Sequence, residues 1–108
     1  RSRAQVSRSE VEILEQGRAW QAAGERVVLA TVARTWGSSP RQVGAVMVLG
    51  ERGRFAGSVS GGCIEEELLA RVHEQFPAHF ETVEYKSETT RTLPCGGQLL
   101  LTLEPLDP

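Results

Sequence analysis

Between Val27 and Arg34 the chain reads Val-Val-Leu-Ala-Thr-Val-Ala-Arg, a nearly continuous apolar run rich in β-branched residues. A run this short that lacks alternating polar positions has no wet face, so it is expected to be a central strand covered on both sides. That requirement calls for further strands to either side of it and for packing layers above and below.

The remaining pattern supplies candidates for both. Ser9 is positioned to cap a helix carrying Val11, Ile13, Leu14, Trp20 and Ala22, with Glu10 and Glu12 complementing its N-terminal dipole and Gly24 ending it. Residues 45–49 and 54–58 bracket Gly50-Glu51-Arg52-Gly53 and read as a β-hairpin. From Cys63 to Phe76, the apolar positions Ile64, Leu68, Leu69, Val72 and Phe76 fall on one helical face, closed by Pro77. Thr82 to Lys86 alternates as a strand, Ser87 to Pro94 is polar and loop-like, and Gln98 to Leu103 forms a last apolar strand before Glu104 to Pro108 ends the folded unit. The expected fold is α/β, or α+β, with a single mixed β-sheet and about two packed helices, its strand sense undetermined. The 108 residues are expected to form one domain, with residues 1–8 a flexible lead-in.

Charge and hydropathy narrow the function classes. A formal net charge of −2 argues against general nucleic-acid binding, which needs a local excess of Lys and Arg over phosphate. No apolar run approaches the roughly 20 residues that span a bilayer, and Arg1 to Arg8 lacks the apolar centre of a signal peptide. The expectation is therefore a cytoplasmic protein without membrane partners. Two cysteines, Cys63 and Cys95, with no CxxC and no clustered His pair make a poor case for structural zinc, and His73 and His79 fall in no ligand spacing.

Both cysteines belong to Gly-Gly units. Ser58-Val59-Ser60-Gly61-Gly62-Cys63 runs into the second helix, and Leu93-Pro94-Cys95-Gly96-Gly97 runs into the last strand. Adjacent glycines let a backbone approach a ligand closely. Placed at a helix entrance, Gly61, Gly62 and Cys63 would offer free N–H groups and the positive dipole end to an anion, and the same field would lower the Cys63 pKa. Glu65, Glu66 and Glu67 would complement that dipole from the first turn. Between two strands, Gly37-Ser38-Ser39-Pro40-Arg41 joins hydroxyls, N–H groups and a guanidinium into a candidate oxyanion clamp. Each loop, taken alone, is equally a plain turn with a packed thiol; together they favour a shared pocket.

The series Gly37-Ser38-Ser39-Pro40-Arg41, then Gly44-Ala45 and Met47-Val48, then Gly57 through Glu65 with Gly61-Gly62-Cys63 at its centre, and finally Cys95-Gly96-Gly97, resembles the XdhC/CoxI family. These are accessory proteins of molybdenum hydroxylases such as xanthine dehydrogenase, and the likeness runs from Val28 to about Leu103. Longer members continue into a Rossmann-like dinucleotide-binding domain that is absent from this sequence, so a stand-alone short member or a fragment is expected. The resemblance implies a homodimeric carrier of the molybdenum cofactor, molybdopterin, that protects it during sulfuration and helps insert it into an apo molybdenum hydroxylase of the xanthine dehydrogenase type, with a cysteine desulfurase as a second partner. Under that reading, Cys63 contacts the cofactor and its molybdenum. Gly61 and Gly62 give backbone access, Arg41 pairs with the pterin phosphate beside Ser38 and Ser39, and Cys95 with Gly96 adds a second thiol near the same site. The residues show no acid/base arrangement that demands turnover, which favours a carrier over an enzyme. Two other classes remain: a small thiol enzyme or redox protein using Cys63, and a structural or interaction module.

Overall fold

The computed structural model describes residues 10–36, 43–60, 64–86 and 98–107. They form α1 (Glu10–Ala22), β1 (Val27–Trp36), β2 (Val46–Gly50), β3 (Phe55–Gly57), α2 (Glu65–Glu74), β4 (Glu81–Lys86) and β5 (Gln98–Pro105). The apolar run at Val27 is the middle strand, in a five-stranded sheet of order β3-β2-β1-β5-β4. Every pairing is antiparallel, so the α+β form of the expected fold is the one realised. The connections over residues 37–45 and 87–97 are short for a parallel crossover, which takes about a dozen residues or more including its helix.

Strand alternation divides β1 between two layers. Val28, Ala30 and Val32 point to one face, where they meet Met47, Leu49, Val83, Tyr85, Leu99, Leu101 and Leu103 under Ile64, Leu68 and Val72 of the α2 segment. Val27 points to the other face and packs with Val48 against Ile13 and Trp20 of α1, with Leu29, Val46 and Ala56 alongside. Burying side chains of the size of Leu68 and Val72 contributes about 2 kcal/mol each, so α2 is held by its packing rather than by local propensity.

Three elements differ from expectation. In α1 the inward stripe is Ile13, Gly17 and Trp20, whereas Val11 is 62% exposed and Ala22 is exposed. Gly17 sets that rotation: a Cβ there would lie 3.1 Å from a Val48 methyl, so the glycine lets the helix lie close on the sheet. Ser9, the expected cap, lies outside the described residues. β5 continues past Leu103 to Pro105, and Leu106 N–H still donates to the Val27 carbonyl at 2.9 Å, because the chain end is tied down by α1. Arg18 and Gln21 donate to the Asp107 carbonyl, and Gln21 donates also to that of Leu106 at 2.9 Å. α2 starts at Glu65, two residues later than the apolar spacing suggests, with Ile64 as its N-cap.

Candidate functional site

The strand register fixes where the three motif-bearing loops attach. β1 runs out at Trp36, opposite Gln98 at the start of β5, and Gln98 in turn faces Lys86 at the end of β4. β2 begins at Val46 opposite Thr31, and β3 finishes at Gly57 opposite Met47. The segments joining β1 to β2, β3 to α2 and β4 to β5 therefore all leave from one end of the sheet. Ser38, Ser39 and Arg41 belong to the first segment, Gly61, Gly62 and Cys63 to the second, and Cys95 and Gly96 to the third. All eight lie outside the described residues; their flanking anchors do not.

Those anchors are well held. Gly44 returns the first segment to the sheet in the left-handed region, at φ +96°, donating its N–H to the Val32 carbonyl at 2.9 Å, while Val32 N–H donates to the Ala45 carbonyl at 2.9 Å. Gly57 starts the second at φ +88°, where a Cβ would stand 2.6 Å from the Val46 carbonyl oxygen. Only glycine fits that exit. The Arg34 guanidinium lies 5.1 Å from the ring centre of Trp36, the last residue of β1 and the partner of Gln98.

The best-defined chemical feature at this end is Glu65, which is only 4% exposed. Its Oε2 accepts from Ser58 Oγ at 2.7 Å, Val59 N–H at 2.9 Å and Ser60 N–H at 2.8 Å, and its Oε1 accepts from Ser60 Oγ at 2.5 Å. Ser60 Oγ in turn accepts the Ile64 N–H at 2.9 Å, a donor at the helix start that no N-cap side chain serves. Burial is the largest single influence on the Glu65 pKa and acts upward. The hydroxyls of Ser60 and Ser58 and the N–H groups of Ser60 and Val59 together outweigh it, taking the pKa from 4.5 down to about 2. Glu65 is thus a buried, ionised anchor rather than a solvated first-turn carboxylate, whereas Glu66 and Glu67 are exposed as the dipole reading expects. Its full negative charge lies at the roughly half-unit positive end of the helix.

The sequence signal for this anchor is present but ambiguous: two serines separated by one residue, Ser58 and Ser60, with Glu65 seven and five residues after them. Elsewhere, two surface hollows lined by described residues lie away from the loop end. One, of about 580 Å³, is lined by Arg71, Glu74, Phe76 and Pro77; the other, of about 490 Å³, by Arg52, Phe55, Leu69 and His73. Both histidines are exposed, and no group of three His, Cys, Asp or Glu able to hold a metal occurs among the described residues.

Comparison with known proteins decides the family. Residues 20–86 match the XdhC and CoxI family, a span that includes Arg41, Cys63 and Glu65 but stops short of Cys95. The chain belongs to the XdhC and CoxI family. It is 36% identical to the molybdenum cofactor insertion chaperone PaoD of Escherichia coli over 77% of this chain and 27% of that protein. It is 44% identical to a probable xanthine dehydrogenase subunit of Bacillus subtilis over 44% of this chain and 14% of that protein. The crystal structure of a xanthine dehydrogenase from Bacillus halodurans shares the fold, with a TM-score of 0.69 and 30% identity over 87% of this chain and 30% of that one. This XdhC/CoxI chain therefore spans less than a third of each of these relatives. No helix among its described residues is long and apolar enough to cross a membrane.

Proposed function

We propose that this chain is a carrier of the molybdenum cofactor that serves the maturation of a xanthine dehydrogenase-type hydroxylase in the cytoplasm. It holds the cofactor while its terminal oxo ligand is exchanged for sulfido and helps insert it into the apoenzyme. A cysteine desulfurase supplies the sulfur, and the carrier works as a homodimer. The observation that carries this reading is the attachment, at one end of one sheet, of all three loops bearing the family-type residues, in a chain whose relatives include a cofactor insertion chaperone.

The donor set suits such a cargo. Arg41, with Ser38 and Ser39, provides charge-assisted and hydroxyl hydrogen bonds for a pterin phosphate. Gly61, Gly62 and Gly96 leave backbone N–H groups approachable. Cys63, with Cys95 as a second thiol, gives a soft ligand matched to a thiophilic metal centre.

The test is anaerobic incubation of the 108-residue chain with isolated molybdenum cofactor, followed by desalting and pterin fluorescence after oxidation. Near-stoichiometric retention by the wild type, lost in Cys63→Ala and weakened at least tenfold in Arg41→Ala, is expected. Retention unaffected by either substitution removes the assigned contacts, and no retention by the wild type removes the carrier reading.

A further inference from the structure

Burying an ionised carboxylate is costly unless its oxygens are fully engaged, so the place where a small domain does so marks something that must be held still. Glu65 is not needed to attach α2: Ile64, Leu68 and Val72 bury that helix against the sheet. A helix start is, moreover, ordinarily capped by a Ser, Thr, Asp or Asn at its N-cap, where this one has Ile64. Four Glu65 hydrogen bonds instead run backwards to three successive residues, Ser58, Val59 and Ser60. Through Ser60 Oγ the network closes on Ile64 N–H, so the residues flanking Gly61-Gly62-Cys63 on either side are clipped to one another. Upstream, the strand exit is fixed by Gly57, whose backbone conformation and contact with β2 admit no side chain.

We infer that Glu65 is a positioning residue for cofactor retention, acting through the backbone of Ser58 to Ser60 and not by touching the cargo. This rests on the carrier reading given above. A loop with its flanks fixed before binding loses less conformational freedom when the ligand arrives, and that saving appears directly as affinity. The carboxylate accepts all four bonds with its charge: an amide with its oxygen in the Oε2 position would keep three of them without the charge, and its NH₂ would force Ser60 Oγ to turn from donor to acceptor.

The experiment compares wild type, Glu65→Gln, Ser58→Ala and Val72→Ala in the full chain. Each is assayed for anaerobic retention of isolated molybdenum cofactor and for hydrogen exchange of the Val59 and Ser60 amides by NMR without ligand. Glu65→Gln is expected to weaken retention at least tenfold and to speed exchange of those two amides by a similar factor. Ser58→Ala, which removes one hydroxyl donor, is expected to do both about threefold with the fold intact. Val72→Ala creates a core cavity and is expected to lower the unfolding temperature while leaving retention at the wild-type level below that temperature. If Glu65→Gln does not fold, Ser58→Ala decides alone. Wild-type retention in the folded Glu65 variant, or in Ser58→Ala where it alone decides, overturns the inference and leaves the carrier reading standing. So does a Val72→Ala loss equal to that of Glu65→Gln, which would make stability the common cause. A wild type that retains no cofactor overturns both.

Discussion

Among the described residues, each end of the sheet buries one glutamate, and the two are satisfied by different means. At the hairpin end, Glu25 is 2% exposed and meets a cation: its Oε1 lies 2.8 Å from Arg54 Nε, and its Oε2 accepts the Arg52 N–H at 2.7 Å. The Arg54 guanidinium also stacks on Trp20, 4.9 Å from its ring centre, and a Cβ on Gly50 would overlap the Glu25 carboxylate. At the loop end, Glu65 is held by hydroxyls and N–H groups of the backbone it organises. A cation-paired carboxylate fastens one side chain to another and so closes a tight turn. A carboxylate bound to consecutive backbone donors dictates the path of the chain. The first arrangement suits a structural corner and the second a loop whose shape matters.

The glycine in the turn before β3 and the one that ends β3 separate the two ends most sharply. Gly53 and Gly57 both have positive φ, +107° and +88°, but a Cβ on Gly53 meets nothing within 4 Å, whereas one on Gly57 meets the Val46 carbonyl. Gly57→Ala is expected to cost about 3–5 kcal/mol in urea denaturation, combining left-handed strain with overpacking, against about 1–2 kcal/mol for Gly53→Ala. Equal costs would mean that the loop end is no tighter than the hairpin.

Next in size is the exchange of the two carboxylates. Glu25→Gln is expected to lower stability by about 2–3 kcal/mol, because it breaks a buried charge-assisted contact, while leaving cofactor retention unchanged. A loss of retention there would erase the distinction between the ends.

Acid sharpens the same contrast. The folded pKa of Glu65 is lowered from 4.5 to about 2, so its stabilisation is fully present above about pH 5 and is lost as the pH falls towards 2. It amounts to about 3 kcal/mol at neutral pH, of which about 2 kcal/mol is gone by pH 3. Urea midpoints measured at pH 7 and pH 3 should therefore fall further for the wild type than for Glu65→Gln. Parallel declines would show that Glu65 is not the titrating anchor. The smallest effects belong to Ser58→Ala, about 1 kcal/mol, and to the exposed Glu66→Gln, under about 0.5 kcal/mol.

Much of this architecture is legible in the residues. The run at Val27, the Gly50–Gly53 turn and the Leu68/Val72 stripe each carry a local signal with one reading, and each forms the element it suggests. What is not legible depends on contacts across the chain. Gly17 reads as a weak point in α1, and only the proximity of Val48 turns it into the centre of the packed face. The extension of β5 to Pro105 follows from the hold that Arg18 and Gln21 have on the chain beyond it, 85 or more residues away in sequence. In Glu65-Glu66-Glu67, three like residues look equivalent along the helix, and only the return of Ser58 and Ser60 to the helix start singles out the first. Of the candidate site, the chemistry of the loops is legible, and the register adds that their roots share one end of the sheet.

The chain contains two tryptophans, and the fold puts one near each end of the sheet: Trp20 against Arg54 by the hairpin, Trp36 beside Arg34 at the root of the motif loops. They form a pair of intrinsic optical reporters. With Trp36→Phe the remaining emission follows the hairpin corner, and with Trp20→Phe it follows the loop roots, so local loosening at either end becomes visible without any attached label.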